Sequence, residues 1–523
     1  MPQISQAGRL NSSALVVPDL YVEIVSPQAR TLNGVPSNVI GLVGVASWGP
    51  VGRPVVLGSM AQFQLAFGTP GARRYDLGSA CACAVQQGAT AFCCVRVSDG
   101  TDQAATYALL YNTATGSYPV LLTALYSGSA GNTISVQFGA GAKAGTWRLT
   151  LQTAGLLPEV FDNLGAAGGA ASVWSDLVAA VNFGQGPTRG PSQLCVATAG
   201  QATTTTPVAV VNQTLLNGSD GIAGVTAASL VGQDAAIRNG MYALRGQGCA
   251  IAMLADCDDP TQWTVQAAFG EAEGCYMILT GPSGDTIADA IAVKQSSGLD
   301  SYACKLMFGD WLYWYDPSSG RTRLVSPQAF VAGRLANLSV EQSSLNKSLA
   351  SIIGSQRSGL VSSGQSATYS TAELQTLFEN GIDVVCNPAP GGAYWAVRGG
   401  FNTASSNTVS GDNYTRLTNY IAQTLSLGMG AYVGSVINAN LLSNIRSTLL
   451  NYLSTLLGQG ILGSVDGSVP YAVVCDATNN PQARTALGYV QADVQVRYQG
   501  INERFLVNLQ GGQNVAVAVT QNS

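Results

Sequence analysis

Histidine is absent from the 523-residue chain. Its absence removes the commonest general base, the serine–histidine triad and every histidine-containing zinc site. Charge is scarce as well: 10% of residues are charged, against roughly 25% in a typical soluble protein. Lysine is nearly missing, with Lys143, Lys294, Lys305 and Lys347 as the full set. A net charge of −5 leaves no visible basic surface for nucleic acid. Apolar runs such as Cys249–Ala255 fall far short of the roughly 20 residues of a membrane span. The opening MPQISQAGRLNSSALVV lacks a basic start ahead of an apolar core, so no signal peptide is expected and synthesis is expected in a cytoplasm.

What is present is an ordinary globular share of apolar residues, 46%. The length corresponds to about three to four domains. A free monomer this apolar normally carries more charge to stay soluble. Much of the surface is therefore expected to be covered by partner subunits. Eleven cysteines sit awkwardly with a reducing cytoplasm, and the odd number forbids full pairing within one chain.

The chain then reads as alternating strand and helix signals. Leu20, Val22 and Ile24 alternate with Tyr21, Glu23 and Val25, as in a strand. Val39–Ala46 is a near-continuous apolar strand, Leu77–Gln87 a helix stopped by Gly88, and Ala91–Val97 a buried strand. That order suggests an α/β unit. From Asp99 the composition turns to Gly, Ala, Thr and Ser, with short strands at Thr133–Phe138 and Thr146–Gln152 and one helix at Ser172–Phe183. This stretch reads as a mostly β surface insertion, closed by a linker at Thr203–Pro207. The α/β pattern resumes with a helix at Ala235–Leu244, a strand at Ala250–Ala255, a helix at Thr261–Glu273 and a strand at Tyr276–Thr280. Ser370 and Glu373 form a capping box, with Gly381 ending that helix. Leu442, Ile445, Leu449, Leu453 and Leu456 mark a long amphipathic helix. Val490, Ala492, Val494, Val496 and Tyr498 alternate strictly, and a turn near Gly500 leads to Phe505, Val507 and Leu509. These two runs read as a hairpin. After it, Val515–Val519 (Val515, Ala516, Val517, Ala518 and Val519) is a short apolar strand with no evident partner.

Motifs that carry chemistry are missing or weak. No phosphate loop occurs, and Gly281–Gly284 reads as a plain strand-to-helix turn. Asp256, Asp258 and Asp259 lack calcium-loop spacing and read as a solvated loop. Cys81, Cys83, Cys93 and Cys94 do not make a redox motif and read as small core residues, inert or paired between helix and strand.

Four stretches, taken in order, carry a resemblance. They are 18–68 (PDLYVEIVSPQ to AFG), 216–232 (LNGSDGIAGVTAASLVG), 308–336 (FGDWLYWYDPSSG to GRLA) and 380–401 (NGIDVVCNPAPGGAYWAVRGGF). Together they resemble the contractile tail sheath proteins of myophages and related contractile injection systems. The resemblance implies an α/β (α+β) multidomain sheath fold with a discontinuous α/β core, a mostly β surface insertion and terminal β arms. The expected division is a linking arm at 1–25, core at 26–99 and 207–370, insertion at 100–206, an inner domain at 371–510 and a second arm at 511–523. It implies stacked six-subunit rings around a tail tube, with baseplate and tail terminator proteins as further partners. It also implies a place in the contractile tail of a virion, assembled in the host cytoplasm. No catalytic role, cofactor, metal, nucleic acid or membrane is expected.

Three residue-level expectations follow. Leu20–Val25 and Val515–Val519 add strands to the hairpin of neighbouring subunits, accepted by Val494, Val496, Tyr498, Phe505, Val507 and Leu509. A helix within 412–457 faces the tube, with Arg416 and Arg446 as contacts. Cys195, Cys257, Cys386 and Cys475, each near a strand-to-loop boundary, form disulfides between subunits. A different self-assembling protein, such as a tail tube or lattice subunit, and an α/β enzyme are the alternatives.

Overall fold

Five parallel strands and one antiparallel edge strand form the central sheet of the computed structural model. It describes residues 3–6, 17, 21–24, 31–187, 189–360 and 368–509. Across the sheet the order is Cys304–Met307, Tyr276–Thr280, Ile251–Leu254, Val39–Gly44, Ala91–Arg96 and Pro54–Leu57. Their apolar runs are continuous because both faces are covered, as parallel sheets require. Ile40, Leu42, Phe92, Cys94, Met253 and Ile278 face one core, closed by helices Leu77–Gln86 and Gln328–Ala336. Val43, Cys93, Val95, Leu254, Met277 and Leu306 face the other, closed by helix Trp263–Glu273. A small antiparallel sheet, Arg321–Val325, Leu312–Asp316 and Ile352–Ser355, flanks the first core. Trp314 joins it to helix Leu77–Gln86 through a 2.8 Å bond to Gln86.

The segment between the two halves of this sheet forms a unit with its own core. Its strands make a four-stranded and a three-stranded antiparallel sheet around helix Ala170–Phe183. Phe138 stacks on Trp147 and on Trp174 at the centre. The last strand, Val210–Thr214, lies inside this unit, so the unit extends past the linker read at Thr203–Pro207.

Arg96 fastens the unit to the central sheet. Buried at the end of its strand, Arg96 donates to the carbonyls of Gly49 at 2.8 Å, Ser127 at 2.7 Å and Asp220 at 3.2 Å. Asp220 also accepts from the Ser129 backbone and from Arg73. One arginine therefore ties together a core loop, the outgoing chain and the returning chain.

The C-terminal part is built on helices Asp412–Met429 and Ala439–Gly458. Asn438 starts the second by accepting from the Leu441 backbone at 2.9 Å. Ile445, Leu449, Leu453 and Leu456 form its buried stripe. Leu442, read as part of that stripe, lies partly buried at its margin, while Leu441 lies inside. The Ser370–Glu373 capping box is present, with each side chain bonded to the other's backbone.

Two elements differ from the sequence reading. Over 235–244 only Gly240–Leu244 is helical, as a short 3₁₀ turn. The Asn239 side chain accepts from the Gln233 backbone, and Gly240 takes a positive φ of 56° against Gly232, so the chain turns where a helix would run on. At the C-terminal end the expected hairpin is not formed within the chain. Asp493–Val496 pairs antiparallel with the upstream strand Tyr471–Val474. The alternation is real, because Val490, Ala492, Val494, Val496 and Tyr498 pack on the helix pair; the pairing partner was misassigned.

Replacing Arg96 by Met removes the donor to three carbonyls. Leaving a buried polar group unsatisfied costs roughly 1–3 kcal/mol. The expected outcome is a lowered thermal midpoint and faster limited proteolysis within 100–215, read by mapping the released fragments.

Candidate assembly surfaces and the buried ionic node

Lys305 occupies the middle of the strand Cys304–Met307 with its side chain fully buried. Its ammonium donates to Asp383 at 2.6 Å, to Asp412 at 3.2 Å and to the Phe401 carbonyl at 3.0 Å. Asp383 also accepts from the backbones of Val384, Gly399 and Gly400, each at 2.7 Å. Asp412 opens the helix Asp412–Met429, where a carboxylate is favoured by the helix dipole. It accepts further from the Tyr276 hydroxyl at 2.6 Å and from the Ser344 backbone and hydroxyl. Burial pushes the Asp412 carboxyl up, but Lys305 and the bonds from Ser344 and Tyr276 outweigh it and hold it below its ordinary range. Burial pushes the Lys305 ammonium down, and the two carboxylates outweigh that in turn. The node thus joins the edge strand of the central sheet to the first turn of the C-terminal helices.

Arg416 lies one turn along the same helix. It is buried and donates to the carbonyls of Leu338 at 2.7 Å, Ser339 at 2.8 Å and Gln342 at 3.3 Å. Burial lowers its guanidinium to about 10. This corrects the expectation of a tube contact at Arg416, because its donors are spent inside the subunit. Arg446 lies exposed on helix Ala439–Gly458. At one end of the helix pair, Leu427, Val433 and Val436 are largely exposed apolar residues.

The C-terminal segment carries another exposed apolar run. Residues 501–509 have no regular structure, and Phe505, Val507 and Leu509 are 83%, 66% and 91% exposed. Val494, Val496 and Tyr498 are partly buried on the helix cluster. The expected acceptor residues are therefore split: Val494 and Val496 lie in a formed strand, Tyr498 just beyond it, and Phe505, Val507 and Leu509 in a segment with no strand partner among the described residues. At the other end of the chain, Tyr21–Ile24, comprising Tyr21, Val22, Glu23 and Ile24, pairs in parallel with Gln3–Gln6. This strand has a partner within the chain, where the sequence showed none. Leu20, Val25 and Val515–Val519 lie outside the described residues.

All eleven cysteines are free and buried. Burial raises the thiols of Cys195, Cys257, Cys386 and Cys475, to about 12 at Cys257 and about 11 at Cys386. A disulfide needs its Cα atoms within about 7 Å. In this conformation none of the four presents a sulfur for a neighbouring chain, which corrects their reading as inter-subunit bridges. The three aspartates after the strand Ile251–Leu254 serve three structural tasks. Asp256 accepts from the Ser326 backbone at 3.0 Å, Asp258 pairs with Arg74 at 2.8 Å, and Asp259 caps the turn at Pro260. Among the described residues no cluster of metal-ligating side chains occurs, and no helix is long and apolar enough to cross a membrane.

No protein-family model matches the sequence, and no curated protein matches it either. Solved structures do. A sheath tail protein from Desulfitobacterium hafniense is 15% identical, with 87% of this chain and 93% of that one covered at a TM-score of 0.58. The chain has the fold of contractile sheath proteins. A sheath tail protein from Listeria innocua matches at 14% identity, over 86% of this chain and 90% of that one, with a TM-score of 0.57. The sheath of an extracellular contractile injection system in its contracted state matches at 13% identity, over 96% and 98% of the two chains, with a TM-score of 0.52. These matches extend over 90% or more of the length of each sheath structure.

The ionic node gives two expected outcomes. Lys305→Met strands two buried carboxylates, and breaking a buried pair costs about 3–5 kcal/mol; the urea midpoint should fall accordingly. Because the carboxyl of Asp412 is lower in the folded chain than in the unfolded one, its contribution is complete above about pH 4 and is lost as the pH falls through the folded value. Asp412→Asn should therefore destabilise the chain at pH 7 and narrow the gap to wild type on acidification, measured as unfolding midpoints across pH.

Proposed function

We propose that the chain is the structural and mechanical subunit of a contractile tail sheath. The observation that carries this reading is the near full-length likeness to sheath structures. Low charge and exposed apolar segments at 501–509 and 427–436 support it, since an isolated chain gains nothing from either. On this reading the subunits stack as six-membered rings around a tail tube, meet a baseplate at one end and a terminator at the other, and sit in a virion tail after assembly in the host cytoplasm. Contraction then drives the tube through the host envelope. The chain's task is mechanical rather than catalytic.

Strand addition is the link between subunits. Residues 501–509 and Val515–Val519 at one end, and Leu20–Val25 at the other, are the segments proposed to pair across chains. Each backbone bond contributes only about 0.5–1.5 kcal/mol, but several per arm and two arms per subunit give a connected mesh. Arg446 is the retained tube contact, and at roughly 0–1 kcal/mol for an exposed pair it is weak enough to release.

Purified protein, seen by electron microscopy, should form wide sleeves, long or short. Removing 510–523 should leave a chain with unchanged circular dichroism that no longer forms them. Monodisperse monomers from the intact chain, or normal sleeves from the truncated one, would contradict the reading and the arm assignment respectively.

A further inference from the structure

Residues 32–35 run along one face of the helix Asp412–Met429. Leu32 lies against Gly428, where a Cβ would come 2.4 Å from Leu32 Cδ2. The Val35 amide donates to Thr424 Oγ1 at 3.2 Å. Gly34 packs on Tyr420, and a Cβ at Gly34 would lie 1.7 Å from the Tyr420 hydroxyl oxygen. Tyr420, Thr424 and Gly428 are spaced one helical turn apart, so they share that face. The segment is a strap that leads into the central strand Val39–Gly44. Packing demands glycine at 34, and the residue before it is asparagine.

Asn-Gly pairs occur at Asn33-Gly34, Asn217-Gly218, Asn239-Gly240 and Asn380-Gly381. The last three are locked. The Gly218 amide donates to Asn132 Oδ1 at 2.8 Å. The Asn239 side chain accepts from the Gln233 backbone at 2.7 Å, and Gly240 is buried. The Gly381 amide donates to the Phe378 carbonyl at 2.9 Å, and Asn380 Nδ2 to the Thr376 carbonyl at 2.8 Å. Asn33 and Gly34 are exposed and lie outside any helix, strand or turn. Among the described residues, the Asn33 side chain and the Gly34 amide have no hydrogen-bond partner.

We propose that Asn33 is a site of spontaneous deamidation, selected by the fold from the four pairs, and that its isoaspartyl product loosens the strap. The Gly34 amide nitrogen loses its proton and attacks Asn33 Cγ. A C–N bond forms, the Cγ–Nδ2 bond breaks and ammonia leaves, giving a succinimide. Water then opens the ring. Attack at Cγ gives aspartate; attack at the backbone carbonyl carbon gives isoaspartate, with the main chain rerouted through the side chain. One water enters and one ammonia leaves, so no oxidant or reductant is required. Glycine at 34 has no Cβ to shield its nitrogen, so the contact with Tyr420 that excludes a side chain also leaves the reacting atom open. Isoaspartate inserts one carbon into the backbone between Leu32 and Val35 and adds a carboxylate. The two holds, on Gly428 and on Thr424, cannot then both keep their register. The reaction belongs to the single chain and rests on no assembly.

The test holds purified full-length protein in mildly alkaline buffer, folded in one sample and in urea in another. Both are then digested in mild acid and mapped by mass. In urea all four pairs should convert from amide to acid. In the folded chain the Asn33 peptide should convert, in aspartyl and isoaspartyl forms, well ahead of the other three. Asn33→Gln, which would need a larger ring, should keep its amide in both samples. Hydrogen exchange over residues 32–35 should quicken in the isoaspartyl fraction. An Asn33 amide that persists in the folded chain while the urea sample converts, or four pairs that convert alike when folded, would overturn the site. Unchanged exchange over 32–35 in isoaspartyl protein would overturn the loosening.

Discussion

A fully buried ammonium between two buried carboxylates is the constraint on which the subunit's rigidity depends. Taking Lys305, Asp383 and Asp412 out of water is costly, and their attraction repays it only in good geometry with every remaining polar atom engaged. That condition is met by donors from four separate parts of the chain: Tyr276, Ser344, the Val384 backbone and the Gly399–Gly400 turn. Each must stay in register for the charges to remain satisfied. A sliding motion between the central sheet and the C-terminal helices would expose the same charges to an unpaired, water-poor site. The two parts therefore move as one body.

The inserted unit is held differently. Its core is separate from both cores of the sheet, and its attachment is a collar of polar bonds at the base. Arg96 reaches three carbonyls there, Asp99 accepts from the Gly224 backbone, and Asp220 takes Arg73 and the Ser129 backbone. Bonds that converge on one cross-section of a two-strand crossing fix position with little buried apolar area. The central sheet can close on both sides of such a crossing without depending on what lies beyond it. The resemblance carried by LNGSDG at 216–221 has this physical content, because that loop is the returning half of the collar.

Much of the central sheet could be read from the sequence because parallel strands covered on both faces leave continuous apolar runs, as at VIGLVG and YMILT. Capping chemistry at Ser370 was local and equally visible. Pairing over distance was not. Val490–Tyr498 alternates for a real reason, yet nothing local distinguishes a partner at 471–474 from one at 505–509. The ionic node was missed although one signal pointed to it: a lysine inside the apolar strand CKLM, in a chain with four lysines. Asp383 and Asp412 lie far from it in sequence, and only the folded chain brings them together. Arg416 was misread because helix periodicity cannot say whether a charged face meets water or a buried row of carbonyls.

Two kinds of bonding thus divide the chain. Inside, the Lys305–Asp383–Asp412 node and the Arg96 collar bind charges and backbone groups to one another, and this conformation is strongly specified. At the C-terminal end, the segment 501–509 combines strand-like alternation with large exposed apolar side chains and, among the described residues, no strand partner. Such a segment is a hazard for a free chain, since an unpaired strand templates uncontrolled association. It becomes an asset if the partner is another copy in a fixed register, because pairing then satisfies the backbone and covers the apolar side chains in one step. A sheath that shortens must keep its subunits connected while their surfaces slide. Linkage through extended segments meets that demand where broad rigid interfaces do not, because an extended backbone can change direction without losing its ladder. Rigid interior and open ends are, on the proposed reading, complementary: the first carries force within a subunit, and the second passes it to the next.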